Sequence, residues 1–193
     1  MADKKVVLIT CGAPAANAAG DAMKKLLKKA ATTASFTPAG MVAEAVTIEG
    51  AAQTAPEGVA KVFEDGGAYA VVDLGNAGAD ALEAAVAQIS EAVDRRTMVV
   101  LAAADGLFFS GLGINTKIGS APRAAVAADV VATICYVADL PVPPDLTGAV
   151  LYQVLKDPDM KLKEIGKLRD ALGRMEVALQ RDNREPWDKH DCA

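Results

Sequence analysis

Histidine is nearly missing from this 193-residue chain: the only one is His190, in a polar stretch at the C-terminal end. Sites that hold two divalent cations close together need several imidazole or carboxylate ligands, so this scarcity weighs against such a centre. A basic excess is missing too. Lys and Arg number 20 against 25 Asp and Glu, a net charge of −5, which disfavours a nucleic-acid partner because nothing is left over to replace counterions. Cysteine is sparse and odd in number (Cys11, Cys135 and Cys192), and the wide spacing excludes a disulfide framework. No apolar run reaches the length of a membrane span, and Val6–Ile9 is too short for a signal-peptide core. The expected compartment is therefore the cytoplasm, with no membrane partner. Aromatic residues make up only 4% of a chain that is 52% hydrophobic, much of it alanine and valine. This is the composition of an α/β protein packed with small side chains, long enough to form a core without staples.

The pattern predicts one α/β domain over residues 1–181 and a polar tail over 182–193, with Trp187 the tail's one large apolar residue. Lys5 to Thr10 reads as a buried strand ending at the turn Cys11-Gly12-Ala13-Pro14. Ala18 to Ala31 reads as a helix whose Lys24, Lys25, Lys28 and Lys29 form a solvated face. Thr32 to Gly40 reads as a loop, Ala43 to Ile48 as a short strand, and Pro56 to Asp65 as a helix. A strand over Tyr69–Leu74 leads to a helix over Asp80–Asp94, with Asp80 as its cap and Glu83 at the capping-box position. Thr97 to Ala102 is a further strand, and Leu107 to Ser110 adds a short one beyond the turn at Asp105-Gly106. Asp129 caps a helix that ends near Leu140, and a last helix runs from Asp157-Pro158 to about Arg181. Its stripe of Leu162, Ile165, Leu168, Leu172, Met175 and Leu179 is expected to pack on the protein's own sheet. Alternating strands and helices imply a mainly parallel sheet with helices on both faces. Right-handed crossovers then bring the strand ends Cys11, Asp73 and Asp105 to one edge, where ligands bind in such folds.

The stretch Asp129–Leu151, DVVATICYVADLPVPPDLTGAVL, carries the most specific signal: an apolar helix, two proline-stiffened steps and an Asp-Leu-Thr-Gly turn. It resembles the closing segment of the alkaline phosphatase superfamily, which includes cofactor-independent phosphoglycerate mutases, phosphodiesterases and sulfatases. Other pieces follow the family in order. Ile9-Thr10-Cys11-Gly12 stands where the family has an apolar strand ending in a metal-binding Asp-Gly. Ala70 to Gly78 and the helix after it are similar to the family's strand, ligand loop and helix, with Asp73 the one ligand kept and no histidine. Met98 to Gly106 matches the strand leading to an Asp-His-Gly motif. Aligning on Gly106 puts Ala104 at the aspartate and Asp105 at the histidine, and a one-residue slip keeps the aspartate instead. The resemblance covers roughly residues 69–155 and 5–12, and rests on the order of the pieces. It implies an alkaline-phosphatase-like core, reduced in size.

The family's reaction needs paired metal ions and a Ser or Thr nucleophile. The catalytic candidates the resemblance leaves are Cys11, Thr37, Asp73 and Asp105, with Thr32, Thr33 and Ser35 as further hydroxyls. Cys11, Asp73 and Asp105 are also the candidate metal ligands, a chemically mixed set. Against them stands a plain reading: the two aspartates as strand-end turn residues and Cys11 as a small buried hydrophobe. A thiol role for Cys11 lacks a CxxC partner and a histidine base. Gly12 to Gly20 lacks the spacing of a phosphate loop. The expected function is thus a metal-free, non-catalytic relative that binds a small molecule or a protein. The alternative is a reduced hydrolase or phosphotransferase using one zinc, manganese or magnesium ion. An assembly role as a homo-oligomer is a third option.

Overall fold

The computed structural model describes residues 4–182, so Trp187, His190 and Cys192 lie outside the described residues. The chain divides into two units, 1–156 and 157–193, each taken by itself.

The first unit is α/β. Its strands are β1 (Lys5–Thr10), β2 (Ala31–Thr37), β3 (Ala51–Gln53), β4 (Tyr69–Asp73), β5 (Thr97–Ala103), β6 (Gly106–Gly111) and β7 (Ser120–Val126). They form one seven-stranded sheet in the order β3-β4-β1-β5-β6-β2-β7. Every neighbouring pair is parallel except those made by β6, which runs antiparallel to β5 and β2. The helices are α1 (Asp21–Lys28), α2 (Met41–Ala45), α3 (Val59–Glu64), α4 (Ala79–Ala92) and α5 (Ala127–Ala138).

The central strands show why the chain folds this way. Val6 and Leu8 face one core with residues of α2 and α5, while Val7 and Ile9 face the other with residues of α1, α3 and α4. All four are fully buried, and each contributes about 1.5–3 kcal/mol relative to exposure. A strand covered on both faces must be apolar at every position, which is why β1 and β5 read as unbroken runs. Leu82, Ala85, Val86 and Ile89 are the buried stripe of α4, as the spacing predicts. The four lysines around α1 are exposed, a solvated face.

Three expectations need correction. Thr32–Gly40 is not a loop: β2 occupies most of it, pairing with β7 and β6. Ala43–Ile48 is not a strand. α2 ends at Ala45, and the strand on that side of the sheet is β3. Nor do Asp80 and Glu83 cap their own helix, whose N-cap is Gly78 with no side-chain bond. Glu83 instead reaches across to α1, accepting from Ala22 N at 3.1 Å and Met23 N at 3.3 Å. Those are free donors of a helix's first turn, so the carboxylate satisfies them and ties α1 to α4.

The Asp129–Leu151 signal has a structural cause. Asp129 lies in the first turn of α5, not at its cap position, and is buried. Its carboxylate accepts from Ala149 N at 2.8 Å, Val126 N at 3.3 Å and Arg123 Nη2 at 3.3 Å. One turn on, the Thr133 hydroxyl donates to Asp129 O at 2.7 Å and accepts from Leu151 N at 2.9 Å. These two side chains fasten the returning segment to α5, giving its backbone the partners that a neighbouring strand would otherwise supply. Cys135 is held as a thiol on the same helix: burial pushes its pKa up to about 11, and its Sγ–H donates to Pro141 O at 3.4 Å.

The second unit contains α6 (Met160–Asp182). Its start is fixed by Asp157, which accepts from Asp159 N at 3.2 Å and pairs with Lys163 Nζ at 2.7 Å. The Lys163 ammonium beside it holds the Asp157 carboxyl below its ordinary range and is itself raised. The apolar stripe of α6 is exposed along its length. Among the described residues, no helix is long and apolar enough to cross a membrane.

Candidate functional site

The register of β1 and β4 pairs Thr10 with Asp73, so the last residues of two central parallel strands meet at the carboxyl edge of the sheet. A cleft of about 500 Å³ opens there. Its floor is Thr10, Cys11, Asp73 and Ala102, with Ala104 just past β5, and Gly12, Gly75 and Asn76 form the loops beside it. Pro38 and Gly40 to Ala43, the entry to α2, make the wall. This is where the sheet's topology predicts a ligand.

Within the cleft several polar groups are already engaged. The Thr10 hydroxyl donates to Asp73 Oδ1 at 2.6 Å, and Gly75 N donates to the same oxygen at 3.0 Å. Gly12 N donates to Gly75 O at 2.7 Å. That approach explains the glycine: a Cβ on residue 12 would stand 2.9 Å from Asn76 Oδ1 and 3.1 Å from Gly75 O. Cys11 is buried, its N–H donating to Ala102 O at 2.9 Å. Its Sγ–H donates to Ala77 O at 3.5 Å, and Sγ accepts from Ala13 N at 3.4 Å.

The sequence-derived candidates divide. Cys11 and Asp73 do line one cleft. Asp105 does not join them: it lies in the β5–β6 turn, and its carboxylate accepts from Ala15 N at 2.6 Å and Ala16 N at 2.9 Å. The turn redirects it from the rim to a 3₁₀ turn at Ala15–Asn17, where it satisfies free backbone donors. Thr37 ends β2, exposed, and the lining begins one residue later at Pro38. Thr32 donates to Gly119 O at 3.3 Å and Thr33 to Ser35 O at 3.1 Å, so both hydroxyls serve backbone. Thr10 and Asn76 went unmarked in the sequence. Thr10 was legible in principle, since two parallel strands that end together place their last side chains side by side.

Tested as a metal centre, the residues do not fit. Cys11 and Asp73 supply one thiol and one carboxylate, each with a protein partner, while a tetrahedral zinc site takes four donors. Among the described residues no three of His, Cys, Asp and Glu come together in a way that could hold an ion. Among the described residues no Lys, Arg or His lines the cleft either. Its character is apolar with a single anionic spot, the exposed Asp73.

No family model matches the chain, and no curated protein or solved structure matches it.

Proposed function

We propose that this protein is a metal-free, non-catalytic relative of the alkaline phosphatase superfamily, and that the cleft at the carboxyl edge binds a small ligand. The observation that carries the reading is the charge of that cleft: among the described residues, one carboxylate and no cationic side chain line it. Phosphoryl and sulfuryl esters are held by Arg, Lys, metal ions or a ring of free backbone N–H groups. Here the amides that end β1, β4 and β5 are spent: those of Cys11, Gly12, Ala13, Gly75 and Ala104 donate within the protein. An ester oxyanion about 4 Å from Asp73 would be repelled by roughly 1–4 kcal/mol per unit charge, from water-like to near-surface screening. The same carboxylate attracts a donor. The ligand class the cleft favours is therefore small, largely apolar, and tipped with an amine or another hydrogen-bond donor, its apolar part against Met41, Val42 and Ala43.

The position of the cleft supports the ancestry. Cys11 stands where the resemblance puts an acidic ligand, as does Ala104 when the chains are aligned on Gly106, Asp73 stands where it puts a third, and the chain after β2 enters α2 beside them. What sets this protein apart from the enzymes is the loss of donors at those positions.

The test is turnover. Phosphomonoester, phosphodiester and sulfate-ester substrates, each supplied with zinc, manganese or magnesium, are expected to give no rate that differs between wild type and Asp73→Asn. A rate that wild type shows and Asp73→Asn loses would establish the reduced-hydrolase alternative instead.

A further inference from the structure

We infer that α6 is a self-association element whose exposed stripe pairs with α6 of a second copy of this chain. Five large apolar residues, Ile165, Leu168, Leu172, Met175 and Leu179, are spaced 3-4-3-4 along it and are 45–65% exposed. That is the a/d seam of a two-stranded coiled coil, two positions in seven, narrower than the face of a helix built into a globular core. Leu162 flanks the seam at its start and is exposed as well. Gly166 and Gly173 lie inside the helix with nothing near them, so intrinsic propensity does little to hold it. A helix of this make-up depends on something covering its apolar side.

The positions beside the seam argue that the cover is another copy. Taking Ile165 as a, the g positions are Glu164, Ala171 and Ala178, and the e positions include Arg169 and Glu176. In a parallel pair, Glu164 meets Arg169 of the second copy, and two-fold symmetry repeats the contact. In an antiparallel pair, Arg169 meets Glu176 of the second copy, again twice. Neither the parallel arrangement nor this antiparallel register sets like charges together, and the two alanines leave room for close approach. Glu164 stands 3.5 Å from Lys161 on its own helix, near enough for the pair across the seam to join an existing one. A face complementary to itself in charge and in apolar spacing is what an isologous dimer needs.

Sedimentation of the 193-residue chain over a concentration series tests this, with two variants. Leu172→Glu places a charge in the middle of the seam, whereas Val177→Glu places one on the exposed far side of the same helix. Wild type and Val177→Glu are expected to dimerise alike. Leu172→Glu is expected to remain monomeric, with association weakened at least tenfold and with unchanged melting of the α/β unit. A dimer that survives Leu172→Glu, or two variants that disrupt equally, would overturn the inference. So would a monomeric wild type, and protection of its α6 amides from hydrogen exchange would then assign the cover to the chain itself.

Discussion

Replacing Gly148 by alanine is expected to destabilise the α/β unit by about 3 kcal/mol or more. The reason is a backbone-on-backbone contact. A Cβ at this position would overlap the carbonyl of Ala128 and stand 2.6 Å from Asp129 N. Both belong to the first turn of α5, which cannot retreat without giving up the bonds that start the helix. A flexible side chain can swing away from a new methyl; helix backbone cannot. The chain must also pass this close, because the next residue, Ala149, donates to Asp129 from the same approach. The measurement is denaturant unfolding of Gly148→Ala beside wild type. A loss below about 1 kcal/mol would mean that the returning segment is free to lift off α5.

The second large effect falls on the other half of this joint. Asp129→Ala is expected to cost about 3–5 kcal/mol, because it strands the donors of Val126 and Ala149 and leaves Arg123 without its carboxylate. Asp129→Asn keeps the side chain's shape and one acceptor oxygen, and should fall between alanine and wild type. The two sites touch, so the double variant Gly148→Ala/Asp129→Ala should lose less than the sum of the singles: once the segment has detached, the second change has little left to break. Additive losses in that cycle would show that the two residues do not act on one joint. This gives a physical reading of the Asp-Leu-Thr-Gly turn. It is a structural clasp on α5, and a chain can keep it whether or not it keeps any chemistry.

How much of this was legible in the residues depends on how local each cause is. β1, β5 and α4 were readable because burial imposes a strict pattern on consecutive positions. β2 was not, since Thr32, Ser35 and Thr37 are at least partly exposed and the strand is held by pairing with β6 and β7 far along the chain. Glu83 three residues after Asp80 looks like a local capping box, but nothing local reveals that α1 passes alongside and takes the carboxylate. Asp105 was placed at the rim because it follows a strand; the tight turn into β6 aims it at Ala15 and Ala16. Cys11 and Asp73 were brought together correctly, because parallel strands ending in register place their ends side by side. The stripe of α6 shows the opposite limit. The same apolar spacing serves a helix packed on a sheet and a helix paired with another copy, so the spacing alone does not choose between them.

On the reading proposed above, the cleft keeps the place of the alkaline phosphatase superfamily's site without an affinity for oxyanions. Nitrogen–proton correlation spectra of the labelled protein test it most directly, with a primary alkylamine and inorganic phosphate as separate probes and no metal added. The amine is predicted to shift the amides of Thr10, Gly12, Gly75 and Asn76 saturably, to lose that effect in Asp73→Asn, and phosphate to leave them unmoved. Saturable shifts of those amides by phosphate in the wild-type protein would contradict the account.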